Sequence, residues 1–293
     1  MVRVTERVFL LEAPRFQFPY CNCLLVRDER TCLLDCAMTP LQGEELSRQH
    51  LDLVLLTHGH VDHVHRPSRF PAPKYLHPAD YDWVESAGSF LRAFGFDREG
   101  YQDIGRLFMR AGGWEAMEPA GPLSEGQVID LGCTRIQVLH LPGHTAGHCG
   151  FLLLDEGILF SSDIDLTSFG PFYGNATSDL DAFIASLDRL IAHPPEAVIT
   201  GHGEGLVTRD VKARLEGYRD IIFQREEALL AALAQLGAAT PAQLAARKTI
   251  YRRRSDSYQQ LFDLLELLMD EQHLRRLERS GRVERDGELY RVR

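Results

Sequence analysis

The sequence predicts an α/β fold, a layered body of strands and helices followed by a small helical unit that ends in a hairpin. Three observations predict it. Short apolar runs bounded by polar turns fill the first third of the chain. Strand-like runs and an amphipathic helical pattern then alternate through residues 127–200. Residues 209–293 carry two long helical patterns and one tight hairpin signal. Such an order of elements favours helices stacked on sheets, with the tail as a separate unit.

The first expected strands are Arg7–Leu11, Asn22–Val26 and Thr31–Asp35, the last two around the turn Arg27-Asp28-Glu29-Arg30. A short helix follows over Gly43–Gln49. Leu51–Thr57 is nearly all apolar, which suits a strand buried on both faces. Residues 83–117 break this rhythm: aromatic and aliphatic residues at mixed helical spacing, interrupted by glycines, read as a helical insertion. Strands resume at Gln127–Asp130, Arg135–His140, Gly150–Leu154, Gly157–Phe160 and Ala197–Thr200. Leu180, Phe183, Ile184, Leu187 and Leu190 give Asp179–Ile191 one apolar face, with Ser178 as its expected cap. In the tail, Leu215–Leu236 is a helix that stops at Gly237, and Thr240-Pro241 opens a short one. Ser257–Ser280 is a further helix. Val283–Val292 alternates around Asp286-Gly287, a hairpin turn signal. Helix, helix and hairpin together suggest a winged-helix-like unit. The expected division is a catalytic domain over 1–208 and this unit over 209–293.

Composition excludes several classes. At 44% hydrophobic and 25% charged, the 293 residues can bury a sizeable core. A net charge of −10 argues against a chain built to coat nucleic acid or an anionic membrane. The charge is uneven: residues 247–293 carry 12 Lys and Arg against 9 Asp and Glu, leaving 20 against 33 on the rest. The six cysteines, at 21, 23, 32, 36, 133 and 149, form no paired C-x-x-C knuckles. No apolar signal core is seen at Met1–Arg7, and the expectation is a cytoplasmic protein with reduced thiols. Cys149 reads as a small buried filler.

The chemistry is concentrated in Thr57-His58-Gly59-His60-Val61-Asp62-His63, directly after the buried strand. Burying several imidazoles and a carboxylate together is costly unless they pair or bind metal. Their spacing fits no single helical face, but it suits a strand end opening into a loop that curls round an ion. His58 and His60 can face one ion while Asp62 and His63 face a neighbour. Three more strands end in the same manner, at Leu141-Pro142-Gly143-His144, Phe160-Ser161-Ser162-Asp163 and Ile199-Thr200-Gly201-His202-Gly203. Ligand types presented from strand ends converge on one edge of a layered sheet.

In this order of motifs the sequence resembles the metallo-β-lactamase superfamily over residues 7–206. The resemblance implies a four-layer αββα sandwich and two divalent metal ions. It implies His58, His60 and His144 as ligands of the first ion, Asp62, His63 and His202 of the second, and Asp163 as the bridging carboxylate. The C-terminal unit is similar to the winged-helix appendage of β-lactamase-like protein 2 and its bacterial relatives, best over His273–Val283.

Imidazole and carboxylate donors suit zinc first, with iron or manganese also compatible. A hydroxide shared by two such ions would attack an ester, thioester or lactone of a small molecule, with Asp62 orienting it or carrying its proton. His148 and Tyr173 are candidate substrate contacts. His65 and His77 are read as surface or packing residues. Two other activities stay open, a ribonuclease of the β-lactamase-like protein 2 type and a mononuclear iron persulfide oxygenase, together with a non-catalytic metal sensor. Within the superfamily, flavodiiron reductases carry a glutamate where His60 stands, and acyl-homoserine lactonases carry a tyrosine where Leu166 stands. The tail reads chiefly as a packing element or a homodimer contact, because Ser257–Met269 holds Asp263 and Glu266 and no basic residue. No membrane association is expected.

Overall fold

The computed structural model describes residues 1–15, 17–252 and 258–293. Two sheets form the body. The first runs β1 (Val2–Arg3), β2 (Val8–Leu11), β3 (Cys23–Val26), β4 (Cys32–Leu34), β5 (Leu53–Leu55), β6 (Lys74–Leu76) and β7 (Gly121–Pro122), in that spatial order. The second holds β8 (Val128–Asp130), β9 (Arg135–His140), β10 (Cys149–Leu153), β11 (Ile158–Ser162), β12 (Ala197–Thr200) and β13 (Leu206–Val207), again in sequence order across the sheet.

Side-chain alternation shows why both sheets are covered twice. In β3, Leu24 and Val26 join a core shared with Phe151, Phe160 and Ile199 of the second sheet. Cys23 and Leu25 point the other way, into a core with Leu46, Trp83 and Phe90. In β12, Ala197 and Ile199 face the first sheet, while Val198 packs with Phe183, Leu187 and Leu215. A strand that buries both faces favours apolar residues at successive positions, as Cys23–Val26 and Ala197–Ile199 show. The layers are therefore helix, sheet, sheet, helix, the αββα order that the resemblance implied.

The outer helices are α1 (Pro40–Ser47), α2 (Asp82–Glu85), α3 (Ala87–Phe94) and α4 (Gln102–Ala111) on one side. On the other lie α5 (Leu180–Ala192) and α6 (Val211–Leu236). Helix α1 starts ahead of its expected Gly43 because Thr39 and Gln42 form a capping box and Pro40 fits the first turn. The cap of α5 is Asp179, not Ser178: Asp179 accepts from the Ala182 N–H at 2.9 Å. Ser178 instead donates its hydroxyl to the His144 carbonyl at 2.8 Å.

The tail continues with α7 (Pro241–Ala245), α8 (Gln259–Arg279) and the hairpin β14 (Val283–Asp286) and β15 (Leu289–Val292). Thr240 caps α7 as expected. Asp286 pairs with Leu289, so the turn residues are Gly287 and Glu288, one position beyond the expected Asp286-Gly287; Gly287 supplies the positive φ. Ser257, where the last helix was expected to begin, lies outside the described residues. Helix α8 serves two cores. Leu264, Leu265 and Leu268 enter the core of the first sheet, whereas Leu274 and Leu277 pack with Leu233, Leu244 and Tyr290. Among the described residues no helix is long and apolar enough to cross a membrane.

Strand direction sets where the site can form. β10 is antiparallel to both β9 and β11, and β11 is parallel to β12. Hence β9, β11 and β12 all end at one edge of the second sheet. The Cys149 N–H donates to the Thr57 carbonyl at 2.8 Å, joining that edge to the chain that leaves β5. Close packing at this edge requires glycine. At Gly143 φ is +133°, and a Cβ would meet the backbone and Cβ of Phe183 in α5 at 2.3 Å. Gly143→Ala is expected to cost about 2–3 kcal/mol of stability by urea unfolding, from overpacking on a left-handed backbone. A loss below about 1 kcal/mol would show that α5 can retreat from the loop.

Candidate metal centre

Four chain segments meet at the edge just described. The turn after β5 carries His58, His60, Asp62 and His63; the loop after β9 carries His144; β11 is followed by Asp163 and β12 by His202. His58 Nε2 lies 3.2 Å from His144 Nε2, and His60 Nδ1 lies 3.0 Å from the same atom. Asp163 Oδ2 is 3.2 Å from His144 Nε2. His63 Nε2 is 3.2 Å from His202 Nε2 and 2.9 Å from Asp163 Oδ1. His202 Nε2 sits 3.5 Å from Asp62 Oδ2 and from Asp163 Oδ1. Donor atoms thus gather in two groups, one of His58, His60, His144 and Asp163, the other of Asp62, His63 and His202. Asp163 approaches both.

The outer nitrogens fix the ring tautomers. His144 Nδ1 lies 2.9 Å from the Phe172 carbonyl, which can only accept, so Nδ1 carries the proton and Nε2 presents a lone pair to the site. His63 Nδ1 lies 2.8 Å from Asp35 Oδ2 and Nε2 lies 2.9 Å from Asp163 Oδ1, so the ring sits between two carboxylates that favour its protonated form until a metal displaces the Nε2 proton. Three imidazole nitrogens gathered within about 3 Å, beside a carboxylate oxygen, are a donor set suited to a cation. Asp163 Oδ1 is buried without an aligned hydrogen-bond partner, as a donor awaiting a metal is. The residues present fit a pair of divalent ions.

Electrostatics agree. Burial pushes His58, His60 and His144 below the usual histidine range, which keeps the imidazoles neutral and basic toward a metal. Burial acts the same way on His63, but the Asp163 and Asp35 carboxylates outweigh it and hold the ring up. Asp163 is buried, which opposes ionisation, yet His63, His202 and His144 keep it well below the carboxylate range.

Two carboxylates that the motif reading passed over organise this edge. Asp35 is fully buried, sits at φ 57°, and accepts from the Thr57 N–H at 2.8 Å as well as facing His63. The signal for it was present: Leu33-Leu34-Asp35 is an apolar strand ending in a carboxylate, as is Phe160-Ser161-Ser162-Asp163. Asp80 accepts from the Gly59 N–H at 3.1 Å, the Thr145 hydroxyl at 2.6 Å and the Gly147 N–H at 2.7 Å. It ties the histidine-rich turn to the His144 loop. Burial raises Asp80 to about 6 despite those bonds. No sequence signal marks it, because its partners are loop atoms distant along the chain.

Two expected substrate contacts lie elsewhere. His148 is fully buried behind the donors, its Nδ1 on the Leu141 carbonyl at 3.1 Å and its ring packed on His58 and His144. Tyr173 is fully buried, with its hydroxyl 2.7 Å from His273 Nε2 and 3.2 Å from Arg225 Nη1. Its neighbour Phe172 lines the cavity instead. His65, buried on the Gly112 carbonyl, and His77, stacked on His140, are packing residues. All six cysteines are free, and Cys149 is buried.

The cavity above the donors has a volume of about 420 Å³. His60, Asp62, His144, Asp163 and His202 form its floor.

Residues 17–202 match the model of the metallo-beta-lactamase superfamily. The chain is similar to the metallo-beta-lactamase family protein TTHA1429 of Thermus thermophilus, with a TM-score of 0.75, 27% identity, and coverage of 99% of this chain and 100% of that one. It is 29% identical over 193 residues to the beta-lactamase-like protein 2 homolog of Drosophila melanogaster, covering 65% of this chain and 56% of that protein. Over 115 residues it is 29% identical to the atrochrysone carboxyl ACP thioesterase dmxR1 of Cryptosporiopsis sp. (strain 8999), covering 39% of this chain and 34% of that protein. A family match over more than half of the chain, joined to an end-to-end structural likeness, establishes that this protein belongs to the metallo-β-lactamase superfamily.

Proposed function

We propose that this protein is a dinuclear metal-dependent hydrolase of a small ester, thioester or lactone. The observation that carries the reading is the pair of donor groups that share Asp163 beneath one open cavity. His58, His60 and His144 would hold one ion, Asp62, His63 and His202 the other, with Asp163 between. When bound, two such ions activate water at neutral pH and polarise the acyl oxygen. The protein's own groups do the rest. Asp62 lines the cavity beside His202, where its carboxylate orients the attacking water and takes up its proton. Asp35 holds the His63 ring by its Nδ1–H, and the Phe172 carbonyl does the same for His144. The likeness to a fungal thioesterase supports acyl transfer to water as the reaction class. Zinc, iron and manganese all accept this donor set.

The winged-helix-like reading of the tail enters this proposal only as packing. The ribonuclease reading is weaker on charge grounds. Among the described cavity residues Arg15 is the one Lys or Arg, against Asp62, Asp163 and Asp165. A polyanion would gain little there beyond the metals.

Three outcomes are expected. Elemental analysis of protein purified without added metal or chelator should find close to two divalent ions per chain; one iron per chain would favour the oxygenase reading instead. Asp62→Ala should lower kcat by about a hundredfold or more with a much smaller change in KM, and near-normal turnover would remove Asp62 from proton transfer. Asp35→Asn should weaken binding of one of the two ions by about 10–100-fold in a metal titration. Equal loss of both ions would mean that it disturbs the whole edge.

A further inference from the structure

The cavity is two-sided, and its sides are made of different chemistry. Next to His60 and His144 the walls are aromatic. The Phe94 and Phe172 centroids lie 6.1 and 6.4 Å from that of His60, and Phe172 lies 5.6 Å from His144. Phe108 continues the wall 5.2 Å beyond Phe94, and Phe18 stacks 4.8 Å beyond Phe108. Phe18 and Phe169, at the cavity, stay 43% and 37% exposed, so apolar surface stands open to an incoming group. On the His202 side the lining is Asp165, Thr167 and Gly203, with Arg15 and Gln17 also at the cavity.

The tail completes the apolar side. Leu261 and Leu265 of α8 line the cavity, as does Tyr251 from the segment before it. A fully buried carboxylate, Glu266, helps to hold Tyr251 there. Glu266 accepts from the Ile250 N–H at 2.9 Å and the Tyr251 N–H at 2.7 Å, and from the Thr249 hydroxyl at 3.3 Å. The Tyr251 ring then packs 5.1 Å from Phe169 and 5.3 Å from Phe262. Arg225 of α6 secures the Phe169–Pro171 loop on which Tyr251 packs, over the Phe169 ring at 4.6 Å and donating to the Phe169 and Pro171 carbonyls. A buried carboxylate and a buried guanidinium both committed to loop backbone make a wall that is set before any ligand arrives.

Resting on the hydrolase reading above, we propose that the substrate is an ester or thioester of an apolar acyl group, seated on the aromatic side. The C-terminal unit is then part of the acyl site, and Glu266 is the positioning residue that sets Tyr251 into it. The leaving alcohol or thiol lies toward Thr167 and Gly203, beside His202. Water adds its oxygen to the acyl carbon and the C–O or C–S bond breaks. The leaving group keeps one proton of that water, and the carboxylic product releases the other.

The test compares acetyl, butanoyl and octanoyl thioesters of one thiol on metal-loaded protein, alongside calorimetric titration of acetate and octanoate. Each buried methylene is worth roughly fourfold. The expected kcat/KM therefore rises about a hundredfold or more from acetyl to octanoyl, and octanoate binds at least about tenfold more tightly than acetate. Leu265→Trp, which fills the wall, should lower the octanoyl-to-acetyl ratio at least about tenfold. Glu266→Ala should raise the octanoyl KM more than it lowers kcat, and Glu266→Gln, which keeps an acceptor oxygen, should recover part of that loss. Titration of the wild-type protein needs neither turnover nor a folded variant. Cleavage with a flat or falling chain-length dependence, and octanoate no tighter than acetate, overturns the acyl site while the hydrolase reading stands. No cleavage of the three thioesters, of the matching alkyl esters or of a simple lactone overturns the hydrolase reading itself.

Discussion

One edge of this sandwich gathers two imidazole nitrogens and a carboxylate oxygen within about 3 Å of the His144 Nε2 atom, and burying so many polar atoms together is costly unless charge between them compensates. His144 Nε2 confronts two other imidazole nitrogens, and His63 Nε2 confronts a carboxylate oxygen. Positive charge among these atoms, a proton on His63 or a bound metal ion, offsets that cost, and much of the surrounding architecture holds them in place. Asp35 grips His63, the Phe172 carbonyl grips His144, and Asp80 binds the two donor loops to each other. Gly143 allows α5 to close over the His144 loop.

The same constraint explains what the sequence made legible. A strand buried on both faces is rich in consecutive apolar residues, so β5 and the apolar stretches Ile158–Phe160 of β11 and Ala197–Ile199 of β12 stood out, and a histidine or aspartate soon after each was conspicuous. Neighbouring strands with less to bury did not. Lys74–Leu76 and Gly121–Pro122 lie among prolines and polar residues and become strands only through partners across the sheet. The cap of α5 moved by one residue because both Ser178 and Asp179 are cap formers, and the serine hydroxyl was taken by the His144 carbonyl. Asp80 and Tyr173 mark the limit from either direction. One works through loop atoms that sequence spacing does not connect, and the other, drawn to the site by its glycine-flanked loop, turns inward to His273.

The tail is less an appendage than its position in the chain suggests. Its hairpin and α7 share a core with the distal halves of α6 and α8. The proximal half of α8 is built into the body, and the buried polar residues Glu266, Gln272 and His273 are spent on contacts with segments outside α8. This also accounts for the weak helical periodicity of α8, since a helix covered on several sides has no single apolar stripe to display.

A helix that answers to two cores at once cannot be traded like a cassette. Replacing the tail with a foreign helix and wing would remove Leu261, Leu265 and Tyr251 from the cavity even if every metal donor stayed in place. The chemistry and the choice of what reaches it are therefore written on stretches of chain some two hundred residues apart, as His58 and Leu265 are. A lineage could redraw its substrate range by altering α8 alone, leaving the histidines untouched.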